Sequence, residues 1–141
     1  MMTAETPIRI RYCETDRMGI VHHSNYPKYL EMGRTDYLRL LGKPYDQLEA
    51  DGIFFPLTGM EMKFLSSVTY EDEIVVHTRM KSASIVQFTL QYTITCGERT
   101  VLTGTTSHAV TTPELRPINL KRTNSVLYAL LQGELEEPQP P

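Results

Sequence analysis

The sequence has little of several features that mark specialised classes of protein. Its 141 residues include two cysteines and no tryptophan, and its formal net charge is only −3. A net charge that is small and negative gives no general electrostatic attraction for nucleic acid. No apolar run approaches the roughly 18 residues of a membrane span, and the polar start MMTAETP is unlike a signal peptide. We therefore expect a cytoplasmic protein with no membrane span and no nucleic-acid partner.

Cysteine and histidine are also too sparse to indicate a metal site. Cys13 and Cys96 lie in separate strand-like runs and lack the spacing of metal ligands. We interpret both as free thiols in a reducing compartment. The histidines have no third ligand at a known spacing, so the sequence predicts no metal and no cofactor. Two of them, His77 and His108, lie in strand-like runs, and no function is assigned to them.

What the sequence does contain is a polar turn followed by a long helix, over residues 12–41. Ser24 or Asn25 suits the N-cap position, and Pro27 fits the first turn. Gly42 then suits the helix end. Apolar residues recur at spacings of three and four, which predicts one buried face formed by Tyr26, Tyr29, Leu30, Gly33, Tyr37, Leu40 and Leu41.

Two pairs of opposite charge lie three residues apart on this helix. They are Glu31 with Arg34 and Asp36 with Arg39. Residues at this spacing are neighbours on a helix surface, so we predict ion pairs. We interpret Glu31 and Arg34 as a structural pair rather than a catalytic one.

Titratable side chains gather just before the helix, where Asp16 is followed by His22 and His23. Free N–H groups at a helix start favour an anion or a developing oxyanion. A nearby carboxylate can attack a carbonyl carbon or activate water. The spacing alone also allows a simpler interpretation, in which Asp16 closes a turn and the histidines are surface residues.

The rest of the chain reads as period-2 strands joined by short turns. We predict strands over 6–13, after Pro56, and over 72–81, 86–96 and 101–112, with a helix over 119–132. Strands joined this way are antiparallel, and the long helix must cover one face. The predicted fold class is α+β: an antiparallel sheet of about five strands around one long helix, plus a C-terminal helix.

This organisation predicts one domain over residues 1–132 and a mobile, acidic, proline-rich tail over 133–141. Five strands with one covering helix leave the sheet edges exposed, and exposed edges need protection. A dimer that joins two sheets edge to edge would supply it.

The residues from Tyr12 to Tyr26, YCETDRMGIVHHSNY, together with Glu31 and Arg34 as E-x-x-R, resemble the hotdog-fold acyl-CoA thioesterases. The most similar types are 4-hydroxybenzoyl-CoA thioesterase and the acyl-CoA thioesterase associated with the Tol-Pal system. The resemblance covers about residues 7–118. It implies hydrolysis of an acyl-CoA thioester to free acid and CoA, in a hotdog fold.

The resemblance also implies roles for individual residues. An aspartate at the position of Asp16 is the family's nucleophile or general base, accompanied in the Tol-Pal type by residues matching Tyr12 and His23. In the 4-hydroxybenzoyl type, the backbone amide at the His23 position polarises the thioester carbonyl. Tyr12 equally suits packing in the core, because it continues the alternation that places Ile8 on the buried face of its predicted strand. His22 stands where the family usually has an aromatic residue, so which histidine touches the substrate stays open.

The family completes its site between subunits, which implies a homodimer or homotetramer. One matching segment contacts the substrate and consists of Phe55, Pro56 and Leu57. Another contacts the CoA nucleotide and consists of Lys81, Ser82 and Ala83. A lysine beside a CoA phosphate is physically sensible, and a solvated lysine at a strand end is the alternative.

Two other functions compete with hydrolysis. A hotdog dehydratase would need the signature H-x-x-x-x-P-x-x-P-G, which the sequence lacks. A non-catalytic acyl-CoA-binding protein of the same fold would lack the Asp16 carboxylate or add a DNA-binding segment, and neither is seen. The sequence does not identify the acyl group.

Overall fold

Five strands pair antiparallel in one sheet, in a computed structural model that describes residues 1–135. The order from edge to edge is β1, β3, β4, β5, β2. The strands are β1 (Ala4–Arg9), β2 (Leu57–Phe64), β3 (Glu73–Ala83), β4 (Gln87–Cys96) and β5 (Arg99–Ala109). The helices are α1 (Tyr26–Leu40), α2 (Tyr45–Ala50), α3 (Leu120–Thr123) and α4 (Ser125–Gly133). The predicted α+β architecture is confirmed.

The long helix α1 packs against one face of this sheet through large side chains and one glycine. Tyr29, Leu30 and Tyr37 are almost fully buried in the core. A Cβ atom on Gly33 would lie 2.6 Å from Thr78 Oγ1 and 2.8 Å from Val76 Cγ1. Only glycine permits this approach, and Gly33 belongs to the buried face that the spacing predicted.

The predicted helix face is wrong at its C-terminal end. Leu40 is 56 % exposed, whereas Leu38, outside the predicted face, is buried. Periodicity identifies a stripe along a helix, but it does not show how far the covering elements extend.

The alternation of apolar and polar residues predicted which segments form strands better than it predicted where each strand ends. The strand predicted over 6–13 stops at Arg9, because Tyr12–Glu14 fold into a 3₁₀ turn. By contrast, β2 begins directly after Pro56, as expected, and it lies at a sheet edge. The helix predicted over 119–132 is two helices, because the Asn124 side chain accepts from the Leu127 N–H and starts α4.

Packing continues slightly beyond the predicted domain boundary at 132. Leu135 belongs to the core, and the Glu134 carboxylate accepts from the Met2 backbone N–H at 2.8 Å. The rest of the predicted tail, 136–141, lies outside the described residues. Within residues 1–135 no helix combines the length and apolar character needed to cross a membrane.

Candidate active site

A tight loop carries Asp16 between the Tyr12–Glu14 turn and α1. The Asp16 N–H donates to Ile20 O at 2.9 Å, and the Gly19 N–H donates to Asp16 O at 2.9 Å. Gly19 has φ +80°, a conformation that favours glycine. Asp16 therefore does close a turn, and one carboxylate oxygen, Oδ1, accepts from the Met18 N–H at 2.8 Å. Its second oxygen, Oδ2, accepts from no residue in the described part of the chain.

The start of α1 is built differently from the prediction, which assigned the cap to Ser24 or Asn25. A 3₁₀ turn over His23–Asn25 precedes α1, and His22 caps it: the ring Nδ1 accepts from the Ser24 N–H at 3.2 Å. The Asn25 side chain makes no cap hydrogen bond. Instead, the Asn25 side chain makes a buried hydrogen bond, in which its Nδ2 donates to Glu14 O at 2.8 Å.

His23 has two polar groups to consider, its side-chain ring and its backbone N–H. Its ring lies 4.1 Å, centroid to centroid, from the His22 ring and is exposed. Its backbone N–H finds no acceptor among residues 1–135. Unpaired N–H groups at a helix start carry partial positive charge, so this one suits a negatively charged oxygen.

Asp16 and His23 line the same cleft, which has a volume of about 320 Å³. The other lining residues are mostly apolar: Met18, Ile20, Val21, Tyr26, Phe64, Leu65, Ser66 and Ser67. Burial raises the pKa of Tyr26, and the nearby charge of Arg99 partly offsets this rise.

Sequence reasoning missed one wall of this cleft. Phe64 follows the predicted strand pattern, but nothing marked it or Leu65, Ser66 and Ser67 as neighbours of Asp16. They arrive there because Val21 N–H donates to Val68 O and Ile20 bridges Thr69.

Tyr12 does not line the cleft. It is 75 % exposed, and its ring contacts Tyr70 edge-on with centroids 5.6 Å apart. The alternative that it packs in the core is therefore wrong, because the chain leaves the sheet before Tyr12.

The predicted substrate segments lie at the other end of the sheet. Phe55 and Pro56 line a second cleft of about 230 Å³, together with Glu31 and Arg34. Leu57 begins β2 and is exposed, whereas Phe64, at the other end of β2, lines the Asp16 cleft. Seven residue steps at about 3.3 Å place these ends roughly 23 Å apart.

The second predicted segment, on β3, lies at this same far end. Lys81 is exposed, Ser82 is half-buried and Ala83 is buried, with its carbonyl accepting from Gln132 Nε2 at 2.9 Å. Asp72, which directly precedes β3, contacts Ile10 close to the Asp16 loop. One chain therefore does not bring Asp16 together with either segment.

A buried polar cluster, absent from the sequence interpretation, joins Arg34 to His108. The His108 Nδ1–H donates to Phe55 O at 3.2 Å, and Nε2 accepts from Arg34 Nη1 at 2.5 Å. Burial, followed by the Arg34 charge, lowers the pKa of His108 to about 4, so the ring is neutral. The predicted ion pair of Arg34 with Glu31 is present, and the Arg34 side chain is only 12 % exposed. No sequence signal linked two residues 74 positions apart.

Neither cleft contains an obvious metal site. Within residues 1–135 no three His, Cys, Asp or Glu side chains gather closely enough to hold a metal ion. At the first cleft, Asp16 and His23 offer a carboxylate, an imidazole and a backbone amide.

Comparison with known proteins gives a consistent set of relatives. The model of the Thioesterase superfamily matches residues 18–103. YneP of Bacillus subtilis, provisionally named an acyl-CoA thioesterase, is 29 % identical over 124 residues, which are 86 % of this chain and 90 % of YneP. The acyl-CoA thioester hydrolase YbgC of Escherichia coli is 26 % identical over 96 residues, covering 68 % of this chain and 72 % of YbgC. The crystal structure of DHNA-CoA thioesterase from Staphylococcus aureus matches with a TM-score of 0.87 and 30 % identity, covering 92 % of this chain and 89 % of that one.

Proposed function

Because the chain belongs to the thioesterase superfamily, we propose that it hydrolyses an acyl-CoA thioester to a free acid and CoA. One observation carries the proposal: Asp16 and His23 line the same cleft beside the start of α1. The names of its relatives, which include acyl-CoA thioesterases, support CoA as the leaving group.

Asp16 is the group that begins the reaction in this proposal. Its Oδ1 atom is held by the Met18 N–H, and its Oδ2 atom is free to act. In one route, Oδ2 attacks the thioester carbon, the C–S bond breaks, and water then hydrolyses the mixed anhydride. In the other route, Oδ2 takes a proton from water, and the resulting hydroxide attacks the same carbon.

The start of α1 stabilises the charge that develops on the thioester oxygen in either route. The His23 N–H has no protein acceptor among the described residues, so it can donate to this oxyanion. Preorganised donors of this kind account for a large part of catalysis in acyl transfer. The CoA thiolate is a fair leaving group, so no strong acid is required.

The test is a thiol-release assay over a panel of short aliphatic, long aliphatic and aromatic acyl-CoA substrates. We expect stoichiometric thiol and free acid from at least one class. Tight binding of the panel without thiol release would indicate a non-catalytic binding protein. Loss of water from a 3-hydroxyacyl-CoA without thiol release would indicate a dehydratase. Either result would contradict the proposal.

We further propose that the working unit is a homodimer, or a homotetramer of such dimers. Strand β2 is largely exposed and lies at the edge of the sheet, so one side of its backbone pairs with no strand among residues 1–135. Two copies of β2 paired antiparallel about a two-fold axis would place Leu57 of the partner subunit beside Phe64. Phe55 and Pro56 of the partner subunit would then approach the Asp16 cleft, which supports a site shared by two chains.

Light scattering combined with a dilution series tests this assembly. At micromolar concentration we expect a mass at least twice the monomer's 16.1 kDa. On dilution, mass and specific activity should fall together, because each site needs both chains. A 16 kDa species with full activity would contradict the shared site.

A further inference from the structure

Asn25 occupies the N-cap position of α1, yet its side chain does not cap the helix. Asparagine is among the preferred N-cap residues, and replacing such a cap usually weakens a helix. The His22 side chain instead caps the 3₁₀ turn His23–Asn25 that leads into α1. The Asn25 side chain is therefore available for another contact, and the residue is only 8 % exposed.

That contact is a buried hydrogen bond across eleven positions of sequence. Asn25 Nδ2 donates to Glu14 O at 2.8 Å, and the His22 N–H donates to the same oxygen at 2.9 Å. The Glu14 carbonyl thus joins the 3₁₀ turn before Asp16 to the segment that leads into α1. We refer to these two hydrogen bonds as the Glu14 junction.

Glu14 is itself held firmly. Its residue is 6 % exposed, and its carboxylate accepts from the Arg11 N–H at 2.8 Å. Asp16 follows Glu14 by two residues, and His23 follows His22 by one. The Glu14 junction therefore ties the backbone just before Asp16 to the backbone just before His23.

We propose that Asn25 is a positioning residue, which holds the Asp16 loop against the start of α1 through the Glu14 carbonyl. Asn25 does not line the cleft, so it acts only through Asp16 and the His23 amide. The proposal rests on the proposed function. It gives Asn25 a role that neither helix capping nor packing in the core would give it.

The first test is Asn25→Ala, measured by steady-state kinetics on the best acyl-CoA substrate. We expect kcat to fall by about 10- to 10²-fold, because small displacements of reacting groups cost rates of this size. KM should stay within about twofold, because no substrate contact is removed. A kcat near the wild-type value in the folded variant would overturn the proposal.

Asn124→Ala is the matched control. Asn124 is a true cap, whose side chain accepts from the Leu127 N–H at 3.0 Å at the start of α4. Losing this cap should lower the melting temperature while leaving kcat within about twofold. An equal fall of kcat in both variants would show that Asn25 matters only for stability, which would also overturn the proposal.

Asn25→Asp provides a readout that a purely structural role would not give. Its ionised carboxylate would face Glu14 O without a proton to donate, whereas its protonated form would donate an O–H. The ratio of the variant's kcat to that of the wild type should therefore rise as pH falls. A ratio independent of pH would contradict the positioning role, and this measurement also decides the matter should Asn25→Ala fail to fold.

Amide hydrogen exchange separates this inference from the proposed function. In Asn25→Ala, exchange of the His22 N–H and its neighbours over residues 14–23 should accelerate, while exchange in β3 to β5 stays unchanged. If the wild-type protein releases no thiol from any acyl-CoA, the proposed function fails, and exchange still reports the junction. Unchanged exchange over 14–23 would refute the junction regardless of activity.

Discussion

The start of α1, with the 3₁₀ turn His23–Asn25 that leads into it, and the middle of α1 differ in how their polar groups are bonded. At the start, the His23 ring is exposed and its N–H has no acceptor in the described structure, beside a carboxylate that is only partly bonded. In the middle, Gly33 lies against Val76 and Thr78 on the sheet, and the mostly covered Arg34 side chain donates to His108. The first region leaves polar groups available, and the second pairs or buries them.

This difference indicates how rate and stability are divided along the helix. Groups that act on a substrate must keep free hydrogen-bonding capacity, whereas buried polar groups are costly unless paired. Changes at the start should therefore alter turnover with little effect on folding. Changes in the middle should alter folding with little effect on turnover per folded molecule.

The largest expected contrast is between two changes of His23. His23→Pro deletes the backbone N–H and should lower kcat by about 10²–10³-fold, the typical cost of one oxyanion donor. His23→Ala keeps the N–H and should lose much less. Steady-state kinetics give the comparison, and circular dichroism must show that α1 survives, because proline also restricts the preceding residue. If His23→Ala is as inactive as His23→Pro, the imidazole has a direct chemical role.

In the middle region, the burial of His108 and its contact with Arg34 should make the stability of the fold depend on pH. The pKa of His108 is about 4 when folded, against about 6.5 when unfolded. Its contribution to stability is therefore fully present above pH 6.5 and is lost as pH falls towards 4, because the unfolded chain binds the proton first. The shift corresponds to about 3 kcal/mol in the free energy of unfolding. Denaturant unfolding should show this slope in the wild type and a smaller one in His108→Gln, and identical slopes would contradict the neutral, buried assignment.

A smaller effect is expected at Gly33. Gly33→Ala adds a Cβ that meets Thr78 and Val76, and overpacking of this kind costs about 1–3 kcal/mol. The better helix propensity of alanine recovers about 1 kcal/mol, so the melting temperature should fall modestly and kcat should hold. Met32→Ala, on the exposed side of α1, is the control. A large loss of kcat in Gly33→Ala at full folding would break the division between the two regions.

The fold was predictable because its signals are local and repeated. β4 alternates buried and less buried residues over most of its length, and Pro56 marks the start of the edge strand. The loop with Asp16 and His23 was predictable for the same reason, since both residues lie within one short segment. Periodicity and turn residues need no knowledge of distant partners.

The remaining features depend on contacts between distant segments. Ser24 or Asn25 was expected to cap α1, but the Asn25 side chain donates to the Glu14 carbonyl instead. His108 showed no partner in the sequence, because Arg34 reaches it only when α1 packs on the sheet. The wall that includes Phe64 likewise forms only through tertiary pairing.

The most direct test of the account compares Asp16→Asn with Asp51→Asn in the thiol-release assay. Asp51 is an exposed aspartate at the end of α2, outside both clefts, so its change controls for loss of a surface charge. Asp16→Asn keeps the size of the side chain but removes the charge that, in the proposed mechanism, attacks the thioester carbon or activates water. We expect turnover to fall by at least about 10²-fold in Asp16→Asn, with an unchanged circular dichroism spectrum, and to stay at the wild-type level in Asp51→Asn. Wild-type turnover by a folded Asp16→Asn protein would contradict the account.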